Sequence, residues 1–541
     1  MLGAMSVQAQ DAAEEAEPVF VMPTTFEGMV AALPAASYDD KESLLQNIAQ
    51  SGNPQAANLL HALLDGRLMA TEAGKVYVAQ SSEAEAAAKN LSDASTGAAV
   101  SGVDAASISA VGTNNRLRKA LRALCAQLDL ASPDSAVRTK AVQAIMRDMD
   151  ATGTAALRAR LPLEKDAGIH KSISSALALA DLQSPDAATR LAAVNTLSGD
   201  ISSEVYNGLT TLMTQKDDGS YIEPNADVRA AAASAISSIE SRRKVYGALE
   251  TLFFGLSLGS VLVLAAIGLA ITFGVMGVIN MAHGELIMLG AYTTYVMQLL
   301  MPQHIALSLF LSVPAAFLVS GLVGVGIERG TVRFLHGRPL ETLLATFGLS
   351  LVLQQLVRSV FSPLNRSVAS PEFMSGSLVI NDAFSVTYNR LYIVFFMLIV
   401  FAALQLVLKR TSLGLKVRAV SQNRAMARAM GVRTEWIDAA TFGLGSGIAG
   451  VAGVALSQLT NVGPNLGQSY IIDSFMVVVF GGVGSLWGTL ISGMSLGVVN
   501  KLLEPWAGAV MAKIFVLVFL IVFIQKKPRG LFPQKGRSVE N

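Results

Sequence analysis

Residues 409–433 read Lys-Arg-Thr-Ser-Leu-Gly-Leu-Lys-Val-Arg-Ala-Val-Ser-Gln-Asn-Arg-Ala-Met-Ala-Arg-Ala-Met-Gly-Val-Arg, with seven basic residues and no acidic one, between two strongly apolar segments. The positive-inside rule places a loop of this charge in the cytoplasm. Within it, Ser421 to Met430 reads as a short helix, and Gly431 stands where a C-terminal glycine stop belongs. A short helix on the cytoplasmic face of a membrane bundle is something a motor subunit can grip. The stretch therefore predicts a transporter driven from outside its own chain.

The rest of the chain divides in two around this reading. The 541 residues are 52% hydrophobic with a mean hydropathy of +0.47. Residues 1–245 are rich in Ala, Ser and Asp, with no apolar run long enough to span a bilayer. From residue 246 onward the chain is a succession of apolar segments, at about 249–272, 283–301, 305–327, 341–360, 391–408, 436–457, 470–483, 485–503 and 508–525. The fold expected is all-α: a polytopic membrane bundle of about 8–10 spans, preceded by a soluble helical domain. The segments at 470–483 and 485–503 are short and glycine-broken, the pattern of partial or re-entrant spans. A net charge of +1 suggests no nucleic-acid partner. The single cysteine, Cys125, excludes an internal disulfide and a cysteine-built zinc site.

Charge also orients the spans. With the soluble half outside, the loop of Arg329, Arg333 and Arg338, the 409–433 loop and the tail with Lys526, Lys527, Arg529, Lys535 and Arg537 all fall inside. The loop 361–390, with Glu372 and Asp382, falls outside. Arg242-Arg243-Lys244 disagrees, since it would flank the first span on the outer face. At the N-terminus, Val7-Gln8-Ala9 followed by an acidic stretch to Glu15 resembles the end of a secretory signal; an ordinary N-terminal tail is the other reading.

In the soluble half a pattern recurs three times. Pro133-Asp134, Pro185-Asp186 and Pro224-Asn225 each precede an arginine (Arg138, Arg190, Arg229) five residues after the proline, and then an Ala-rich stripe at helical spacing. Proline and aspartate at a helix start are N-terminal signals. The repeat length of roughly 40–50 residues is that of two-helix HEAT-like repeats; three unrelated amphipathic helices are the alternative. Residues 81–115 read as a mixed helix and loop linker. His61 and His170 stand alone, without metal-spaced partners.

Inside the bundle, Phe273 to Glu285 contains glycines and then Asn280, His283 and Glu285 within six positions. Polar groups at membrane depth usually face a cavity or another helix, and broken helices mark substrate paths. A helix end in headgroup water is the competing reading. The His-x-Glu spelling of a zinc deaminase is discarded for want of its cysteines. Gly445-Ser446-Gly447-Ile448-Ala449-Gly450 spells a dinucleotide fingerprint, but it lies in an apolar helix and reads better, with Gly443 and Gly453, as a small-residue packing seam. Gly481 to Gly488 reads as a break between two short helices, with Asp473 upstream as a polar path residue. No Gly-x4-Gly-Lys-Ser/Thr occurs, so no ATP site and no cofactor is expected in this chain.

Gly277 to Glu285, Arg418 to Val432, Phe480 to Ser485 and Pro528 to Phe532, in that order, resemble motifs of the membrane permeases of branched-chain amino acid type ABC importers, over about residues 246–541. The resemblance implies a permease that is not itself an enzyme, in the bacterial inner membrane. Its partners would be ABC ATPase subunits, a second permease subunit and a periplasmic substrate-binding protein. It implies that the loop helix with Ala427 and Gly431 docks into a groove of the ATPase, and the coupling set expected is Arg418, Gln422, Ala427, Gly431 and Val432. This chain has no acidic residue near Asn423, where many relatives do. The long N-terminal half further resembles the urea-uptake members of the family, so urea is the solute expected, with Asn280, His283, Glu285 and Asp473 as path residues and the N-terminal half periplasmic. Branched-chain amino acids or short amides are the alternative solutes; a passive channel for a small neutral solute is a second alternative.

Overall fold

The computed structural model describes residues 21–532 apart from 72, 82–89, 101, 102 and 382. The signal-like Val7–Glu15 segment, Asp382, Lys535 and Arg537 lie outside the described residues. The chain forms two compact units, Met1–Arg242 and Arg243–Asn541.

The first unit starts with three short helices, α1 (Phe26–Ala32), α2 (Tyr38–Gln50) and α3 (Ala56–Leu64). The expectation of an all-helical chain fails next. Strands β1 (Leu68–Thr71), β2 (Val76–Ala79), β3 (Leu91–Asp93), β4 (Ala99–Val100) and β5 (Ile108–Ala110) form an antiparallel sheet of order β4-β3-β2-β1-β5. Three of these strands lie in the stretch expected to be a linker. They escape a sequence reading for a physical reason. They are two to four residues long, and β2 is buried on both faces, so no alternation marks it. One face of the sheet joins Leu44, Leu59 and Leu121 in a core, and the other gathers Met69, Tyr77, Leu91 and Ile108.

Six helices follow: α4 (Asn115–Asp129), α5 (Ser135–Arg147), α6 (Ala151–Arg160), α7 (Ala167–Asp181), α8 (Ala187–Leu197) and α9 (Ser203–Leu212). The recurring Pro/Arg pattern has one repeated geometry. Asp134 and Asp186 cap α5 and α8 through their side chains, and Asn225 does the same for α10 (Ala226–Met276). Arg138, Arg190 and Arg229 each donate through Nη1 to the carbonyl of the preceding proline and of the residue before it. Arg138 also forks onto Glu164 at 2.9 and 3.0 Å, just ahead of α7. Arg190 forks onto Glu223 at 2.6 and 2.8 Å, just ahead of α10. The first two arginines thus staple their own helix start to the start of a later helix. Arg229 instead lies over the Tyr221 ring.

The second unit contains the apolar part of α10 and α11 (His283–Leu300), α12 (Ile305–Gly330), α13 (Pro339–Phe361), α14 (Tyr388–Arg410), α15 (Ser412–Gln422), α16 (Arg424–Ala429), α17 (Thr434–Ser457), α18 (Leu466–Gly481) and α19 (Leu486–Lys526). A hairpin, β6 (Ser377–Asn381) with β7 (Phe384–Thr387), interrupts the 361–390 loop. Among the described residues six helices, α10, α12, α13, α14, α17 and α19, are long and apolar enough to cross a membrane, against the eight to ten spans expected. The difference has three sources. α18 has 16 residues, about 24 Å, short of a ~30 Å hydrocarbon core. α11 carries polar residues along its length. The segments 485–503 and 508–525 form one element, α19, bent where Pro505 and non-helical Gly508 interrupt it.

Helix α17 is the centre of this unit, and the seam of small residues explains why. A Cβ at Gly290 of α11 would collide with the Gly450 backbone, one at Gly453 with the Ile287 carbonyl, and one at Gly445 with Gly268 of α10. Backbones approach this closely only where side chains are absent.

Candidate functional site

The chain breaks between α10 and α11 at Gly277, whose φ of +68° favours glycine. His283 then lies beside Ala265, because its Nε2 is 2.8 Å from the Ala265 carbonyl oxygen and therefore carries the proton. Ala265 is eleven residues, about 16 Å, before the end of α10. Residues 277–282 must therefore run back into the bundle, a distance six extended residues can cover at about 3.3 Å each. The expectation of a helix end in headgroup water does not describe this arrangement. The contacts of Glu285 agree: its Oε1 accepts from Ser350 Oγ at 3.0 Å and Gln354 Nε2 at 2.7 Å, and Ser350 is the middle residue of α13.

Asn280, His283 and Glu285 are buried, and each keeps one polar side-chain atom without a partner: Nδ2, Nδ1 and Oε2. Asn280 Oδ1 accepts from the Ala282 backbone, which fixes the turn into α11. Asp473 is not part of this cluster. It sits on α18 and pairs with Lys513 Nζ of α19 at 3.0 Å.

The basic loop folds as two helices rather than the single one expected over Ser421–Met430. Asn423 adopts extended backbone and accepts from Met426 N–H, so it ends α15 and caps α16. Gly431, at φ +84°, terminates α16 in a Schellman arrangement, with Val432 N–H to Ala427 O and Gly431 N–H to Arg428 O, both at 3.0 Å. Arg418, Gln422 and Gly431 are exposed. Ala427 is buried among Val417, Val420 and Ile437, with Val432 packed against them. These two support the helix pair from beneath, while Leu415, Met426 and Met430 are its exposed apolar residues; Trp436, at the start of α17, is exposed as well. Arg424 pairs with Asp438 of α17, Arg428 donates to Thr434 Oγ1, and Arg329 lies over the Trp436 ring at 4.1 Å.

Two stretches distant in sequence meet at another break. Gly482 and Gly484 turn the chain between α18 and α19, and Leu531 and Phe532 N–H donate to the carbonyls of Phe480 and Gly481 at 2.9 and 3.1 Å. Sequence reasoning missed Thr346, Ser350, Gln354, Asp438 and Lys513. The signal for the first three was available: Thr342, Thr346, Ser350 and Gln354 recur every four residues in an apolar helix.

Residues 251–524 match the family described as branched-chain amino acid transport system / permease component. The chain is 31% identical over 294 residues to the high-affinity branched-chain amino acid transport system permease protein LivH of Salmonella typhimurium, covering 52% of this chain and 94% of that one. It is 29% identical over 298 residues to the permease protein BraD of the same kind of system in Pseudomonas aeruginosa, covering 53% and 96%. It is 27% identical over 263 residues to the ribose import permease protein RbsC of Escherichia coli, covering 47% and 77%. No solved structure matches. The relatives are permease subunits and not themselves enzymes, and with the membrane-capable helices they support a multi-pass inner-membrane protein. The chain belongs to the family of branched-chain amino acid type ABC transport permeases.

Proposed function

We propose that this chain is the membrane permease subunit of an ATP-driven importer of branched-chain amino acids. The observation that carries the reading is the exposed basic helix pair α15–α16, anchored to α17 in a chain that lacks a nucleotide-binding loop. A separate ATPase pair grips that surface through Arg418, Gln422 and the Gly431 turn. A second permease subunit completes the bundle, and a periplasmic binding protein delivers solute. Solute passes the buried Asn280, His283 and Glu285 as access alternates. Asp473, paired with Lys513, serves the path by holding α18 against α19.

Urea is the second reading. It rests on the N-terminal unit, which lies outside the matched residues 251–524, and on the resemblance of that long extension to urea-uptake members noted from the sequence. The names of the relatives favour the amino acids. The N-terminal unit itself serves as a HEAT-like docking surface on the outer face; a reporter fused after Lys244 and active only in the cytoplasm would refute that side.

Uptake of radiolabelled leucine and urea by membrane vesicles from the native host tests the reading. ATP-dependent leucine uptake that disappears when this chain is deleted is the expected result. Urea uptake alone would favour the second reading, and uptake persisting without nucleotide would indicate a passive channel and overturn both.

A further inference from the structure

Helix α13 turns its polar residues inward and its apolar residues outward, the arrangement of a lipid-facing membrane helix. Its buried residues are Thr342, Thr346, Ser350, Gln354 and Val357, four of them polar at a spacing of four. Its exposed side carries Leu340, Leu344, Phe347, Leu351, Leu356 and Val360. The inward stripe lies along the returning segment and the start of α11. Met281 N–H donates to Thr346 Oγ1 at 3.2 Å, and Ser350 and Gln354 both reach Glu285.

Polar residues between membrane helices often act as packing glue, and glue satisfies its own hydrogen bonds. This seam does not. Ser350 and Gln354 each give one donor to the same oxygen, Oε1, and so orient the carboxylate while Oε2 stays without a partner. Asn280 Nδ2, a buried donor, is also unpartnered. Among the described residues no Lys or Arg forms an ion pair with Glu285. A buried carboxylate oxygen without a hydrogen-bond partner and a buried free amide donor are each costly unless something fills them.

The geometry points to a binding station for a zwitterionic amino acid between α11 and α13. Its ammonium group is held by Glu285 Oε2, and a carboxylate oxygen is taken by Asn280 Nδ2. Ser350 and Gln354 are positioning residues that aim the Glu285 carboxylate. A charged acceptor favours an ammonium over a neutral amide, because charge-assisted hydrogen bonds are about twice as strong. This deepens the proposed import function and rests on it. It adds the α13 stripe as one wall of the path and the ammonium group as the feature recognised.

The chain has one cysteine, the buried Cys125, so a near-native labelling experiment is available. Ser350→Cys in a Cys125→Ala background would be exposed in native-host vesicles to a water-soluble, positively charged methanethiosulfonate, with and without ATP. Labelling that leucine slows at least fivefold is expected. The keto acid 4-methyl-2-oxopentanoate, which lacks the ammonium, should not slow it, and adding Glu285→Gln should abolish the protection by leucine. Absence of labelling in every condition would make the seam simple packing and overturn the station. Protection by urea but not leucine, no protection by either, or protection that survives Glu285→Gln would overturn ammonium recognition. Leucine uptake by the wild type in the same vesicles reports on the import reading separately: its absence would sink that reading, while the labelling result still decides whether the seam binds an amino acid.

Discussion

Arg424, the first residue of α16, holds the carboxylate of Asp438, which lies in the first turns of α17. This pair joins the exposed helix pair to the central helix of the bundle. Asp438 is buried while Arg424 is partly exposed, so it is removal of Arg424 that leaves a desolvated charge, a loss of about 3–5 kcal/mol in buried settings. We expect Asp438→Asn or Arg424→Gln to lower uptake per ATP hydrolysed at least tenfold while the ATPase still binds. The charge-exchanged double variant should recover part of the coupling. Parallel measurement of leucine uptake and ATP hydrolysis checks this, and unchanged stoichiometry in both single variants would refute the link.

Gly431 gives a second expectation. A Cβ there would meet no atom within 4 Å, so the cost of substitution is purely conformational. For a non-glycine residue the left-handed region costs about 1–2 kcal/mol, less for Asn. Gly431→Val should abolish uptake while the protein remains in the membrane, and Gly431→Asn should retain a measurable fraction. Immunoblots of membranes beside uptake rates separate lost coupling from lost protein; normal uptake by the valine variant would remove Gly431 from the coupling surface.

The central seam makes the opposite prediction about where damage falls. Gly290→Leu or Gly453→Leu would drive side chains into the backbone of a facing helix, so neither protein should accumulate in the membrane. Gly326 has nothing within 4 Å, and Gly326→Ala should be neutral or stabilising by up to about 1 kcal/mol from helix propensity alone. Fluorescence-detected size-exclusion profiles in detergent report this contrast.

The N-terminal unit carries a pH signature. The fork from Arg138, with burial opposing it, lowers the Glu164 carboxyl to about 2, and Arg190 lowers Glu223 in the same way. A depressed folded-state value means the contribution is complete above the unfolded value of about 4.3 and is lost as pH falls toward about 2. Hydrogen exchange in α7 should therefore accelerate over that window in the wild-type chain. Arg138→Gln should be less stable at neutral pH by about 1–3 kcal/mol, the worth of hydrogen bonds to a charged group, and should show a flatter acid response. An identical acid profile in the variant would exclude the fork as its source.

What could be read from sequence was what is local or periodic. The Pro/Arg pattern was legible because cap, proline and arginine lie within six residues and recur. The glycine seam was legible because small residues have one use inside an apolar helix. The glycine stop at Gly431 was visible, but the break at Asn423 was not, since it depends on which backbone amide the asparagine side chain accepts. The sheet at residues 68–110 was hidden because its strands are too short to show alternation. Glu285 was visible as a polar residue in an apolar region, and the four-residue spacing of Thr342, Thr346, Ser350 and Gln354 was there to be read; that Ser350 and Gln354 are the ones that meet Glu285 was not, because it depends on how α11 and α13 pack. The Asp438 link and the Lys513 partner of Asp473 lie across turns and between helices, where only tertiary packing decides who meets whom.

The strand-like pairing of Leu531 and Phe532 with Phe480 and Gly481 has a bearing on biosynthesis. Those two carbonyls find their donors only after the ribosome has made some fifty further residues. A nascent chain halted before Leu531 would leave both oxygens bare at the turn between α18 and α19, so this corner of the bundle closes only when synthesis is all but finished.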